Sequence, residues 1–388
     1  MQKNDKIENE NISLFTVSVI GGGLAGLSLS ILLGRAGYKT ILFEKEKYPF
    51  HKVCGEYISL ESWSFIERLG LNLSGLGLPI IKKLVVSSPN ENVIETKLDL
   101  GGFGISRFFL DNELKKIALE TGVIIYEETK VTDVSFDDEI FSVQYNGGEL
   151  FSKIVAGSFG KRSNLDLKWN RNFVKEKPNK LNNYIGVKYH VKNNHAADTI
   201  ALHNFHNGYC GISKIENGKS CLCYLTTAKN LKDSHNSIKE MEEKILFKNS
   251  FLRKIFVESE FIFEEPVTIS QISFEKKSRI ENRVFMLGDA AGMIAPLCGN
   301  GMSMALHSSK IAFENIHLFL TGRISREVME SNYIKTWNKE FELRLRNGRM
   351  IQRFFGKEKL TNFFISIIKP FPFIINHLVK ATHGKTFF

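Results

Sequence analysis

Gly21, Gly23 and Gly26 follow the apolar run Phe15 to Ile20, and this one-three-six spacing suits a turn that receives the pyrophosphate of a dinucleotide. Gly21 permits the turn, Gly23 lets the main chain approach phosphate, and Gly26 lets the following helix pack on the strand. Leu24 and Ala25 open that helix, and its unpaired N–H groups favour an anion. The positions of Leu24, Leu27, Leu29, Ile31 and Leu32 suit a buried helix better than a strand. Gly37 closes it, Thr40 to Phe43 reads as a second strand, and Glu44 then stands at about the ~20-residue distance of a carboxylate that grips a ribose 2′-hydroxyl. An acid there disfavours a 2′-phosphate. Lys45, beside it, joins the predicted cofactor contacts.

A second glycine segment lies far along the chain. The apolar strand Val284 to Leu287 leads into Gly288, Asp289 and Gly292. A carboxylate at the end of a buried strand needs hydrogen-bonding partners, which the hydroxyls of a ligand supply; the plainer alternative is that Asp289 caps the next helix. Pro296, Cys298, Gly299, Asn300, Gly301 and Met302 then form a loop leading into a helix. Cys298 reads best there as a small apolar filler.

At 388 residues the chain exceeds the ~250–300 at which single cores stop growing, so more than one structural unit is expected. The composition, 43% hydrophobic and 24% charged, is that of a globular protein. Residues 1–11 are polar and show no signal-peptide pattern, and five cysteines without framework spacing point to a reducing, cytoplasmic setting. Cys221 and Cys223 lack a second pair, so no metal site is expected. Short strands are expected at 80–86, 93–98, 123–126, 131–136, 141–145 and 153–156, and a second antiparallel block at 185–191, 200–205, 209–215 and 220–225, where Asn217-Gly218 signals a hairpin. Helices are expected at 60–69 and 110–121. The fold class is α/β: a Rossmann-like dinucleotide domain, βαβ with a β-meander (14–75, 104–160 and 276–320), interleaved with an antiparallel-sheet substrate domain (76–103 and 161–275), then a C-terminal helical segment (321–388).

The net charge of +10 is concentrated at the end: residues 341–388 hold nine basic and two acidic side chains, a net +7. This stretch is also rich in phenylalanine and isoleucine, including Phe354, Phe355, Phe363, Phe371 and Phe373. Cations mixed with large apolar groups suit an anionic membrane surface, at the inner face of a membrane, better than nucleic acid; the alternative is that these aromatics pack on the body of the protein.

With these motifs in place the chain resembles the flavoprotein superfamily of aromatic hydroxylases, and within it the geranylgeranyl reductase-like group. The resemblance implies noncovalent FAD. It puts Asp289 against the ribityl chain, the Gly299 to Met302 turn against the flavin ring, and Arg107 near the cofactor. Reductases of the group share a Lys-x-Cys-Gly signature, matched by Lys52-Val53-Cys54-Gly55. It implies that Cys54, with His51 as a second proton carrier, acts beside the flavin; packing alone is the other reading for both. Phe159 replaces the aspartate of the family's Asp-Gly element, which leaves handling of NAD(P)H open, with Lys161 and Arg162 as nearby cations. Tyr209 and Gly211 stand where prenyl reductases carry a Tyr-x-Trp cavity element, so Tyr209, Gly211 and Pro296 are the expected substrate-lining positions. Trp63, Trp169 and Trp337 are too scattered for a halogenase signature.

The expected activity is hydride transfer between flavin and a carbon–carbon bond of an apolar small molecule. The alternatives are an FAD-dependent monooxygenase acting on an aromatic or polyketide ring, and a membrane-recruited flavin-binding protein without catalysis. The spacing of residues is silent on oligomeric state and electron donor.

Overall fold

In the computed structural model, which describes residues 14–177, 182–352 and 357–388, strand Leu14–Ile20 is flanked in parallel by Thr40–Phe43 and Gly148–Gly157. Covered on both faces, it reads as a continuous apolar run, as expected of a central parallel strand. The first sheet has eight strands, in the order Ile280–Glu281, Val284–Met286, Gly148–Gly157, Leu14–Ile20, Thr40–Phe43 and Ile124–Tyr126; Val131–Asp137 and Ile140–Tyr145 extend it as an antiparallel meander. Helices Leu24–Arg35 and Gly301–Leu320 pack on it.

The second sheet has nine strands and is mostly antiparallel. Its order is Glu260–Phe261, Tyr184–Lys192, Ser220–Thr227, Gly208–Lys214, Thr199–Phe205, Ile80–Ser87, Val93–Gly104 and Tyr57–Ser59, with Val267–Ile272 also on Tyr184–Lys192. Alternation separates its faces. Val187, Tyr189, Val191, Ile212, Leu222 and Tyr224 pack under helices Ile238–Lys244 and Ser250–Glu258. Gly186, Lys188, His190, Tyr209, Gly211 and Cys221 occupy the alternate positions of those strands.

Several elements differ from the sequence expectation. The helix expected at 60–69 is a 3-10 turn, Leu60–Ser62, that continues as helix Trp63–Arg68. The next begins three residues early, at Arg107, because the Ser106 hydroxyl accepts from Phe109 N–H at 3.1 Å and caps it. Strand Val93–Gly104 outruns its expected end by bending at Gly101, whose φ of +74° suits glycine. The helices within 228–258 were not expected; Ser237 and Asn249 cap two of them.

Helix Arg326–Gln352 buries Tyr333, Trp337 and Phe341 in the core of the first sheet. Helices Glu358–Ile368 and Pro372–Lys380 follow, and Ile365, Ile368 and Ile375 cover Leu84, Leu202 and Tyr209 of the second sheet. Phe354 and Phe355, named above, lie outside the described residues, as do residues 1–11 and one of the nine basic side chains, Arg353. No single helix among the described residues is long and apolar enough to cross a membrane.

Candidate FAD site

Gly21 leaves the first strand at φ +104°, and its N–H donates to the Phe43 carbonyl at 2.8 Å. A side chain on Gly26 would collide with the Gly21 carbonyl and the Ser158 hydroxyl, so the helix starts hard against the strand. Gly23 differs: a Cβ there would meet only Arg107 Nη2 at 3.5 Å and Lys52 Nζ at 3.9 Å. Two cations thus face open main chain at a helix N-terminus, a cradle for a pyrophosphate.

Glu44 is buried, and its carboxylate accepts from Gly22 N–H at 2.9 Å and Glu46 N–H at 3.2 Å. Each oxygen keeps acceptor capacity for a hydroxyl. The Tyr48 hydroxyl donates to the Gly22 carbonyl and braces the turn from below.

Asp111, which spacing did not single out, is the counter-charge of the cradle. Arg107 grips it with Nε and Nη2, both at 2.7 Å, and Lys52 Nζ lies 3.1 Å away. Burial pushes the Asp111 carboxyl up, but Arg107 and Lys52 outweigh it and hold it below its usual range.

Cys54 lies on a loop held at three consecutive carbonyls. Lys188 Nζ donates to Lys52 O at 3.2 Å, Lys161 Nζ to Val53 O at 2.9 Å, and the Cys221 thiol to Cys54 O at 3.3 Å. The half-buried Cys54 Sγ is thereby set 3.5 Å from Met302 Sδ, at the start of helix Gly301–Leu320. Below the loop, Glu56 is fully buried and bonded to Lys188 Nζ, to His190 Nε2 at 2.6 Å and to Arg107 N–H at 2.8 Å. Burial raises the Glu56 carboxyl, yet Lys188 and His190 bring it down to about 2. Glu56, His190 and Cys221 could together hold a metal ion by their spacing, but Lys188 already supplies the cation at Glu56.

The ring of His51 stacks on Phe108 at 4.6 Å and meets His190 edge-on at 5.0 Å. Burial, then Lys188, lowers it to about 4, so it is a neutral ring at pH 7. Gly55 is exposed, and Lys45 is a surface side chain paired with Glu46 at 3.7 Å.

At the far end, Gly288 N–H donates to Ser308 Oγ at 3.1 Å, and the Asp289 carbonyl accepts from the buried Lys277 at 2.8 Å. Burial drives Lys277 down to about 8. Gly299 turns at φ +66° against Tyr57, and a Cβ on Gly301 would come no closer than 3.7 Å to anything, leaving this turn open. Asn300 points its amide away, donating to the Thr382 carbonyl at 2.8 Å, so only its main chain faces the turn.

The three substrate-lining positions are not alike. Tyr209 is buried among Leu225, Met293 and Ile365, its hydroxyl at the Leu297 main chain; Gly211 is half-buried two residues on, whereas Pro296 is exposed. Phe159 packs against Gly157 beside the Gly21 turn, and Lys161 serves the Val53 carbonyl.

The family model described as FAD binding domain matches residues 15–335. Among curated proteins, the conditioned medium factor receptor 1 of Dictyostelium discoideum is 22% identical over 77% of this chain, and the chain spans only 62% of that relative's length. The digeranylgeranylglycerophospholipid reductase of Methanococcus vannielii is 24% identical over 84% of this chain and 83% of its own. The kynurenine 3-monooxygenase of Flavobacterium johnsoniae is 21% identical over 78% and 73% respectively. A solved geranylgeranyl bacteriochlorophyll reductase-like protein from Thermoplasma acidophilum superposes with a TM-score of 0.75 at 18% identity, covering 96% of each chain, a likeness of fold. A glycine cradle under two cations, Glu44 behind it and a family match over most of the chain place this protein in the FAD binding domain family, as an FAD-dependent enzyme.

Proposed function

We propose that the protein is an FAD-dependent reductase that adds hydrogen across a carbon–carbon double bond of an apolar, prenyl- or polyene-like substrate. The observation that carries this reading is the fixing of Cys54 through the Lys52, Val53 and Cys54 carbonyls, which holds a half-buried thiol at the open turn before helix Gly301–Leu320.

Gly21 to Gly26, Arg107 and Lys52 would hold the pyrophosphate, Glu44 a ribose, Asp289 the ribityl chain, and the Gly299 to Met302 main chain the ring edge. When bound and reduced by an external two-electron donor, FAD would supply the hydride and be reoxidised. The Cys54 Sγ–H bond then gives its proton to the neighbouring carbon, and water restores the thiol, with the exposed Gly55 leaving that path open. The buried Glu56–Lys188–His190 group keeps the loop from drifting, which matters because catalytic reach is lost within about 1 Å. Tyr209 and Gly211 lie on the apolar side of the second sheet that would face the substrate.

The similarity to the Methanococcus reductase supports this reading, and that to the kynurenine 3-monooxygenase supports a second, ring hydroxylation with molecular oxygen. Turnover without oxygen separates them. Reduced holoenzyme given a geranylgeranyl lipid under argon is expected to form a product with two added hydrogens, whereas strict dependence on oxygen overturns the reductase.

A further inference from the structure

Helix Glu358–Ile368 carries two apolar faces. Thr361, Ile365 and Ile368 are buried toward the second sheet. Leu360, Phe363 and Ile367 form a second row and are 44%, 66% and 51% exposed. At 3.6 residues per turn the rows stand roughly 130° apart. Beyond the helix, Phe371 and Phe373 are 49% and 67% exposed. Scattered exposed hydrophobics are ordinary, but a row of them continuing past the helix marks a contact surface.

Charge identifies what it contacts. Residues 357–388 carry five lysines and one glutamate, and Lys357, Lys359 and Lys369 are exposed around the row. A second copy on this face would set two cationic segments together, whereas an anionic lipid surface accepts both cations and phenylalanines. The two terminal helices form a pair bent by 115°, and neither alone is long enough to span.

We infer that residues 357–380 are a docking face for an anionic phospholipid bilayer, lying in its plane with Leu360, Phe363, Ile367, Phe371 and Phe373 in the acyl boundary. Helix Pro372–Lys380 also borders a cavity of about 150 Å³ between Leu98, Leu100 and Val379. Tyr57 lines that cavity and packs beside Gly299, so one side chain links the cavity by the docking face to the Gly299 turn. The docking face stands whether or not the substrate is a lipid.

The test is sedimentation of the full-length, FAD-loaded protein with vesicles of phosphatidylcholine alone or mixed with phosphatidylglycerol. Binding to the mixed vesicles is expected to be about tenfold stronger or more, and to weaken with salt. F363E/F373E is expected to lower it about tenfold while retaining flavin absorbance, and K359Q/K369Q, which alters exposed side chains alone, to lower it several-fold. Equal binding to neutral vesicles, no binding, or both variants binding like the parent overturns the inference. So does a lipid-free dimer by sedimentation velocity that F363E/F373E dissociates, since the face then belongs to a second copy.

Discussion

His190 Nε2 stands 2.6 Å from Glu56 Oε2, joining residues 134 apart in sequence beneath the loop that carries Cys54. With Lys188 on the other oxygen, the Glu56 carboxylate is buried and fully paired. Glu56 is also at φ +55°, a conformation held by what surrounds it.

Glu56→Gln is expected to destabilise the FAD-loaded protein by about 3–5 kcal/mol, because it leaves Lys188 buried without its counter-charge. Thermal or urea unfolding measures this. The carboxyl falls from 4.5 to about 2 on folding, so its contribution of roughly 3 kcal/mol is complete above pH 4.5 and disappears as pH drops through about 2. An acid-unfolding curve of Glu56→Gln that matches the parent counts against this role.

Glu242 behaves oppositely. It accepts from Tyr224 at 2.8 Å and Tyr189 at 3.0 Å, and burial lifts it from 4.5 to about 7. A raised carboxyl stabilises fully below its unfolded value and is lost as pH rises through about 7. Stability is therefore expected to fall by up to roughly 3 kcal/mol between pH 4.5 and 8, and Glu242→Gln to flatten that slope in urea titrations.

Two glycine variants separate cofactor from fold. In Gly23→Ala the new Cβ meets only the flexible ends of Arg107, at 3.5 Å, and Lys52, at 3.9 Å, so apoprotein stability should barely change while FAD affinity drops roughly tenfold, about 1.4 kcal/mol. Gly26→Ala collides with the Gly21 carbonyl and should cost about 1–3 kcal/mol of stability even without FAD. Flavin fluorescence titration and apoprotein melting distinguish the two.

Lys161→Met removes the donor to the Val53 carbonyl without touching the glycine cradle. FAD content should stay near that of the parent, while turnover falls about tenfold or more as the Cys54 loop loosens. A variant of unchanged kcat means the loop is held without Lys161.

Much of the nucleotide end was legible in the sequence. The glycine spacing and Glu44 encode a local strand–turn–helix–strand, and such units depend on neighbours a few residues apart. Asp111, Glu56, Lys188 and His190 were not found because their partners come from other elements: Lys188 reaches Glu56 across 132 residues. A signal was present, since Lys188 and His190 alternate with Val187, Tyr189 and Val191, putting charge on one face of a strand that is apolar on the other. Asn300 shows the converse: its loop position suggested a flavin contact, but its side chain serves the Thr382 carbonyl.

The most direct test is anaerobic single turnover, by mass spectrometry, of reduced holoenzyme mixed with a geranylgeranyl lipid in D2O, comparing the parent with Cys54→Ser. The expected result is a product saturated at one double bond, formed without oxygen and carrying solvent deuterium at both added positions, because the Cys54 thiol and the flavin N–H that is delivered as hydride both exchange with D2O, with the rate in Cys54→Ser reduced at least tenfold at equal FAD content. A product that gains oxygen, and forms only in air, contradicts the account.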